Sequence, residues 1–94
     1  MKSSTLTSIL KNELNANVTD KKTWSLPTGT KVTIFLSTPL AVFPISRVVS
    51  ITLNPEYVTL ESEEGRIFTD MEEITAIRVD QEAKQGDPQS GLGF

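Results

Sequence analysis

The chain has 94 residues, a formal net charge of −3, and neither cysteine nor histidine. A chain of this length encloses one hydrophobic core, so residues 1–94 are predicted to form a single domain. The missing cysteine excludes disulfides, thiolate metal sites and thiol nucleophiles, and the missing histidine removes the usual general base. Acidic side chains cluster at predicted turns but lack the spacing of a calcium-binding EF-hand, so we expect no catalytic residues, metal, cofactor or small-molecule substrate.

A helical pattern opens the sequence and predicts an amphipathic helix over residues 4–15. Apolar side chains recur on one helical face at Leu6, Ile9, Leu10 and Leu14. The asparagines Asn15 and Asn17 predict the end of the helix, because asparagine tolerates the left-handed backbone of a helix cap. A helix this short is marginal alone, so its apolar stripe must pack against the rest of the domain or another subunit.

Residues 16–30 are polar and end in the turn signal Pro27-Thr28-Gly29. This composition predicts a connector between the helix and the first strand. Trp24 lies within the connector, and we interpret it as a packing anchor that folds back onto the strands. A stacking platform for a nucleobase is the less favoured interpretation of the same side chain.

Five β-strands are predicted after the connector, and short turns join them. The predicted strands are Lys31–Ser37, Ala41–Leu53, Tyr57–Ser62, Arg66–Thr69 and Ile74–Val79. Proline cannot donate to a strand ladder, so Pro44 must lie at an edge, at a bulge or among the first residues of the second strand. A strand as long as the second one bends and serves both halves of a small barrel. The fold class is therefore mostly β, an N-terminal α-helix followed by a strongly bent five-stranded antiparallel barrel over residues 31–80.

The C-terminal segment, residues 81–94, is rich in glutamine, glycine and proline and has no hydrophobic period, which predicts a flexible tail. No apolar stretch approaches the ~20 residues that a membrane span needs. The first ten residues are too polar for the apolar region of a signal peptide. We therefore expect a cytoplasmic protein without a membrane partner.

Charge is distributed unevenly along the chain. Residues 1–50 contain six basic and two acidic side chains, a balance of +4, and residues 51–94 contain three basic and ten acidic ones, a balance of −7. Such an asymmetry permits a basic face on an acidic protein, or attraction between copies packed head to tail. Charges scattered over a solvated surface are the alternative interpretation.

The order of the predicted elements resembles the Sm-like family. It consists of a helix followed by five strands, of which the second is long and bent and the last two are joined by a very short connection. The segment Ile67–Val79 is similar to the second motif of that family: two apolar strand residues, a tight polar turn, then alternating apolar residues. The segment Asn54–Leu60 lies where the first motif ends. The resemblance covers about residues 4–15 and 31–80, and rests on strand order more than on identities.

The resemblance implies a homo-oligomeric ring of five to seven copies. In such rings the fourth barrel strand of one subunit pairs with the fifth strand of the next. Pairing between subunits is also physically favourable, because Arg66–Thr69 and Ile74–Val79 would otherwise be open strand edges, which promote aggregation. The predicted interface residues are Ile67, Phe68, Ile74, Ile77 and Val79.

The resemblance also implies single-stranded RNA or DNA as a partner. Sm-like proteins bind uridine-rich RNA through two motifs. The first is an acidic residue, a stacking side chain and an asparagine after strand two, where this chain has residues 54–57. The second is an Arg-Gly pair after strand four, where this chain has Asp70-Met71. An aspartate at that position repels phosphate. The nucleic-acid contacts are assigned to Asn54 for base reading, Tyr57 for stacking, and Lys21, Lys22, Lys31 and Arg47 for phosphates.

The strand-two glycine that helps the Sm-like strand to bend has no evident counterpart here, so the bend is assigned to Pro44 or Ser46. Two functions stay open. The first is a non-catalytic Sm-like ring protein that binds RNA or DNA in nucleic-acid processing. The alternative is a structural or protein-interaction module on an SH3-like barrel that binds no nucleic acid.

Overall fold

The computed structural model describes residues 1–82, and their secondary structure is mostly β. The helix α1 spans Ser3–Asn12, and a 3-10 turn spans Met71–Glu73 just before the last strand. The strands are β1 Asn17–Thr19, β2 Thr23–Ser25, β3 Lys31–Ser37, β4 Val42–Leu53, β5 Val58–Ser62, β6 Gly65–Thr69 and β7 Ile74–Gln81. The five predicted strands correspond to β3 to β7. Most of the predicted tail, from residue 83 onward, lies outside the described residues.

The helix turns its leucines towards the interior, as the sequence pattern predicts. Leu6 and Leu10 are fully buried, and Leu14 just beyond α1 is almost so. The helix ends at Asn12, three residues before the predicted end. Asn15 then adopts a left-handed backbone with a φ of 54°, the conformation expected of asparagine after a helix. The chain therefore turns away from α1 at the predicted place, after a shorter helix.

All strand pairs are antiparallel, and the sheet branches at β4. The first half of β4 pairs with β3, and its second half pairs with β5 on one edge and with β2 on the other. Outside these lie β7 next to β3, β6 next to β5, and β1 next to β2. The path β7-β3-β4-β5-β6 contains all five predicted strands, and β4 is the strand shared by both halves of the fold.

A β-bulge redirects β4 near its middle. Against β3, two residues of β4, Ser46 and Arg47, lie opposite Thr33 alone. Arg47 has a φ of 56°, which is the left-handed region. An extra residue of this kind bends the strand and increases its twist. The bend in β4 was predicted at Pro44 or Ser46. It lies at Ser46 and Arg47, and Arg47 has the left-handed backbone conformation.

The predicted connector over residues 16–30 is wrong in part, because it contains the hairpin β1–β2. The hairpin turn has Asp20 and Lys21 in left-handed conformations, with φ values of 55° and 61°. Each strand has only three residues, too few to show an alternating pattern, and the turn lacks the glycine that usually signals a hairpin. The described chain therefore has seven strands where five were predicted.

The sheet is not closed within one chain. β6 pairs with β5 and β7 pairs with β3, but β6 and β7 do not pair with each other. Each of these two strands therefore has one edge without a strand partner among residues 1–82. The structure supports a bent antiparallel sheet, and closure into a barrel stays a prediction.

One cluster of buried apolar side chains joins α1 to the sheet. Its members are Leu6, Leu10, Leu14, Leu26, Val32, Ile34, Leu36, Val48, Ile51, Val58, Leu60 and Ile74. Trp24 of β2 packs against this cluster, which agrees with its interpretation as a packing anchor. Among the described residues its buried indole N–H has no hydrogen-bond partner. The hairpin β1–β2 is thus attached to the core through the one tryptophan of the chain.

Candidate functional site

The six residues predicted to contact nucleic acid fall into two groups at opposite ends of β5. The first group, at the start of β5, is Asn54, Tyr57, Lys21 and Lys22. The second group, near the end of β5, is Lys31 and Arg47. The first group includes residues that line a pocket, and the second group forms ion pairs.

Asn54 and Tyr57 line a shallow pocket of about 250 Å³, here called the turn pocket. Met71, from the connection between β6 and β7, and Ser3, at the start of α1, complete its wall. The pocket therefore brings together residues 54–57 and Met71, the two places where the family resemblance puts the RNA-binding motifs.

The β4–β5 turn holds Asn54 and Tyr57 in place. The Asn54 backbone N–H donates to the Tyr57 carbonyl oxygen at 2.9 Å, and its side-chain Nδ2 donates to Thr59 Oγ1 at 3.1 Å. The Tyr57 ring meets Phe68 of β6 edge to face, with centroids 5.9 Å apart and an interplanar angle of 74°. Tyr57 nevertheless stays 45% exposed. An oriented and accessible aromatic ring is suited to stacking on a base.

Lys21 and Lys22 lie in the β1–β2 turn, which is joined to the end of β4 because β2 pairs with that strand. Lys22 N–H donates to Thr19 O at 3.1 Å and closes the hairpin turn, while Leu53 N–H donates to Lys22 O at 2.8 Å. Both lysines are exposed and, within residues 1–82, neither takes part in an ion pair. Glu56 lines the pocket as well, so the charge around it is mixed.

Lys31 and Arg47 form an ion-pair cluster with the β5–β6 turn. Lys31 Nζ lies 2.8 Å from Glu63 Oε2, Arg47 Nε lies 3.9 Å from Glu63 Oε1, and Arg47 also bonds to Glu64. The hydrogen bond from Lys31 lowers the pKa of Glu63, and the hydrogen bond to Glu64 raises the pKa of Arg47. These two cations already have carboxylate partners, so a phosphate would have to displace a glutamate.

The five predicted interface residues differ in exposure. Phe68 of β6 is 60% exposed and Val79 of β7 is 41% exposed. Ile67 and Ile77 are half-buried and pack against the core, while Ile74 is fully buried inside it. Of the five, Phe68 and Val79 are the exposed ones, and Ile74 belongs to the core of its own chain.

A polar cluster that the sequence analysis missed lies across β3 and β7. The buried Thr33 hydroxyl donates to Asp80, whose other carboxylate oxygen accepts from Arg78 Nε at 2.7 Å. The Arg78 guanidinium lies 5.5 Å from the centre of the Phe35 ring. The hydrogen bond from Thr33, followed by that from Arg78, lowers the pKa of Asp80. The sequence predicted Lys31–Ser37 as a strand, but its pairing with β7 could not be inferred from the sequence.

Comparison of the chain with protein families, with curated proteins and with solved structures finds no match. Residues 1–82 hold no group of three or more acidic side chains arranged to bind a metal ion. In the same residues no helix has the length and apolar character to cross a membrane.

Proposed function

We propose that this protein is a non-catalytic assembly module that forms a homo-oligomeric ring of five to seven copies. The observation that carries the proposal is the pair of open strand edges at the two ends of the path β7-β3-β4-β5-β6. Each edge strand also carries an exposed apolar side chain, Phe68 on β6 and Val79 on β7. Pairing β6 of one copy with β7 of the next fills both edges and covers both side chains.

The other strand edges are less suited to pairing, which favours β6 and β7. Thr38 N–H donates to Ala41 O across the β3–β4 turn. Hydrogen-bonded and non-hydrogen-bonded pairs alternate along an antiparallel ladder, so Pro44 and Phe35 form a non-hydrogen-bonded pair. The ring nitrogen of Pro44 then faces the outer edge, which lacks a donor there. β1 is only three residues long, so it offers little to a partner.

The order of the strands agrees with the Sm-like resemblance. The five predicted strands follow one another along the path β7-β3-β4-β5-β6, β4 is long and bent, and only the 3-10 turn Met71–Glu73 separates β6 from β7. The resemblance to the Sm-like family rests on the same features of the sequence. They support an Sm-like or SH3-like barrel completed by neighbouring copies.

The ring is tested by the mass of the protein in solution. Light scattering on a size-exclusion column should give five to seven times the mass of one chain at micromolar concentration. Phe68→Asp should give a folded monomer, because it places a charge in the interface. Phe43→Asp is the matched control, since Phe43 is 48% exposed but lies on β4. A wild-type protein that elutes as a stable monomer contradicts the proposal.

We further propose that the turn pocket contacts single-stranded RNA or DNA. Asn54 and Tyr57 line the pocket, and a backbone hydrogen bond joins Lys22 to Leu53 of its wall. Lys21 and Lys22 form no ion pair within residues 1–82. Tyr57 would stack a base, Asn54 would hydrogen-bond to a base edge through its amide oxygen, and the lysines would meet phosphates. Lys31 and Arg47 have no part in this proposal, because glutamates hold them.

Fluorescence anisotropy with labelled single-stranded RNA and DNA tests the turn pocket. Tyr57→Ala should weaken binding by about 1–3 kcal/mol, the usual worth of one base stacked on an aromatic ring. Changing Lys21 and Lys22 to serine should make the affinity less dependent on salt, while Lys31→Ser serves as the matched control. No change in anisotropy at low salt with either polymer would favour the alternative, a protein-interaction module without nucleic acid.

A further inference from the structure

The hairpin that joins β3 to β4 has no charged side chain over a long stretch. Residues 32–46 contain no Asp, Glu, Lys or Arg, although 22% of the whole chain is charged. The stretch contains the turn, all of β3 except Lys31, and the first five residues of β4. The flanking Lys31 and Arg47 lie at the far end, where they bind Glu63 and Glu64.

The end of this hairpin exposes three apolar side chains close together, here called the hairpin tip. Leu40 is 94% exposed, Val42 is 60% exposed and Phe43 is 48% exposed. Leu40 is at the turn, so its side chain has almost no contact with the rest of the protein. Single exposed apolar residues are common on protein surfaces, whereas a group of them can form a binding surface.

Hydrogen bonds inside the hairpin tip satisfy the backbone N–H groups of its turn. Thr38 N–H donates to Ala41 O at 2.9 Å, and the N–H groups of Leu40 and Ala41 point to the Thr38 hydroxyl oxygen at 3.3 and 3.2 Å. The remaining turn residue, Pro39, has no N–H. Every backbone N–H of the turn is thus satisfied inside the hairpin or absent, which lowers the free-energy cost of moving the turn into an apolar medium.

We propose that the hairpin tip inserts into the interface of a zwitterionic lipid bilayer. Leucine and phenylalanine are among the side chains that bury in the boundary between headgroups and acyl chains. Charged side chains are costly there, and this hairpin has none between Lys31 and Arg47. A net charge of −3 gives no attraction to anionic lipid, so a zwitterionic surface is the better match.

A bilayer fits the tip better than a second copy of the chain does. A specific protein interface uses about 20–30 residues on each side, and the tip offers three apolar side chains. A lipid surface needs no complementary shape. The expectation of no membrane partner came from the absence of a spanning segment, and a tip that rests in the interface requires none. The proposal does not depend on the ring, because the tip lies outside β6 and β7.

Co-sedimentation with phosphatidylcholine vesicles tests the proposal on the full chain. The wild-type protein should partition onto the vesicles, and the bound fraction should not fall as salt is raised. Leu40→Ser should weaken partitioning by about tenfold or more, since it removes one buried leucine from the apolar contact. Val18→Ser is the matched control, because Val18 is 47% exposed but lies on β1, and it should bind like wild type.

A fluorescent label tests whether the tip itself enters the lipid. The chain has no cysteine, so Leu40→Cys and Val18→Cys each carry one environment-sensitive dye. Vesicles should shift the emission to the blue for position 40 and leave it unchanged for position 18. Absence of wild-type binding at millimolar lipid, or equal binding by Leu40→Ser, overturns the proposal. A lower mass of Leu40→Ser in light scattering with unchanged vesicle binding would also overturn it, and would assign the tip to a second copy.

Discussion

Arg47 and Lys21 both hold a left-handed backbone, with φ values of 56° and 61°. A side chain with a Cβ disfavours this region by roughly 1–2 kcal/mol. Both residues lie where a β-structure requires that backbone, Lys21 in the three-residue turn between β1 and β2 and Arg47 in the bulge that bends β4. The residue types at these positions are therefore not the ones that local backbone preference would select.

Arg47 allows backbone strain to be separated from its ion pairs. Arg47→Ala and Arg47→Gly both lose the contacts with Glu63 and Glu64, and only glycine is relieved of the left-handed strain. We expect the glycine variant to be more stable than the alanine variant by about 1 kcal/mol in urea unfolding. Exposed ion pairs contribute little to stability because solvent screens them, so Arg47→Gly should lie close to wild type. Equal stability of the two variants would mean that residue 47 is not left-handed in solution.

Asp80 gives a prediction about pH. Its pKa is lowered in the folded protein by the Thr33 hydroxyl and by Arg78, so its contribution to stability is present above the unfolded pKa of about 3.9 and is lost as pH falls through the folded value. Asp80→Asn should therefore be less stable than wild type at pH 7, and the difference should shrink as pH falls below the unfolded pKa of about 3.9. Urea midpoints across this range measure the difference. A difference that does not change with pH would show that the Asp80 charge does not matter.

At the scale of elements, the sequence predicted the strands that carry their own pattern. The strict alternation of Lys31–Ser37 corresponds to β3 residue for residue. The hairpin β1–β2 was not predictable, because its three-residue strands are stabilised by pairing with β4 and by Trp24, not by a pattern of their own. Long, periodic elements could be predicted, and elements that depend on a distant partner could not.

The candidate site divides in the same way. Asn54 and Tyr57 are three residues apart in one turn, so their meeting followed from the sequence. The ion-pair cluster joins Lys31, Arg47 and the β5–β6 turn, and its formation depends on the bulge in β4 and on strand register. No local sequence pattern predicts a β-bulge at an arginine. The sequence therefore assigned two cations to phosphate that the fold pairs with glutamates.

The helix α1 is expected to depend on its contact with the sheet. Leu10 is fully buried in the core, so Leu10→Ala should destabilise the protein by about 2–5 kcal/mol. Ser8→Ala, on the exposed side of the same helix, should change the free energy of unfolding by less than about 0.5 kcal/mol. Thermal or urea unfolding compares the two. A small effect of Leu10→Ala would mean that α1 is not docked on the sheet in solution.

At the scale of the whole molecule, the fold has two halves that share β4 and two edge strands that remain open. The basic first half and the acidic second half are joined within one chain by the Lys31–Glu63 and Arg47–Glu64 pairs. The charge asymmetry therefore does not by itself require another copy. The open edges of β6 and β7, with Phe68 and Val79 exposed, are the stronger reason to expect assembly.

Cross-linking through introduced cysteines tests this assembly most directly, because the natural chain has none. A variant with Arg66→Cys on β6 and Thr75→Cys on β7 is treated with a short bifunctional maleimide and compared with the two single-cysteine variants. If β6 pairs with β7 of the next copy, the double variant gives a ladder of covalent multimers that stops at the ring size. The single variants should stay at the mass of one chain. A double variant that shows no band above the monomer would contradict edge-to-edge assembly.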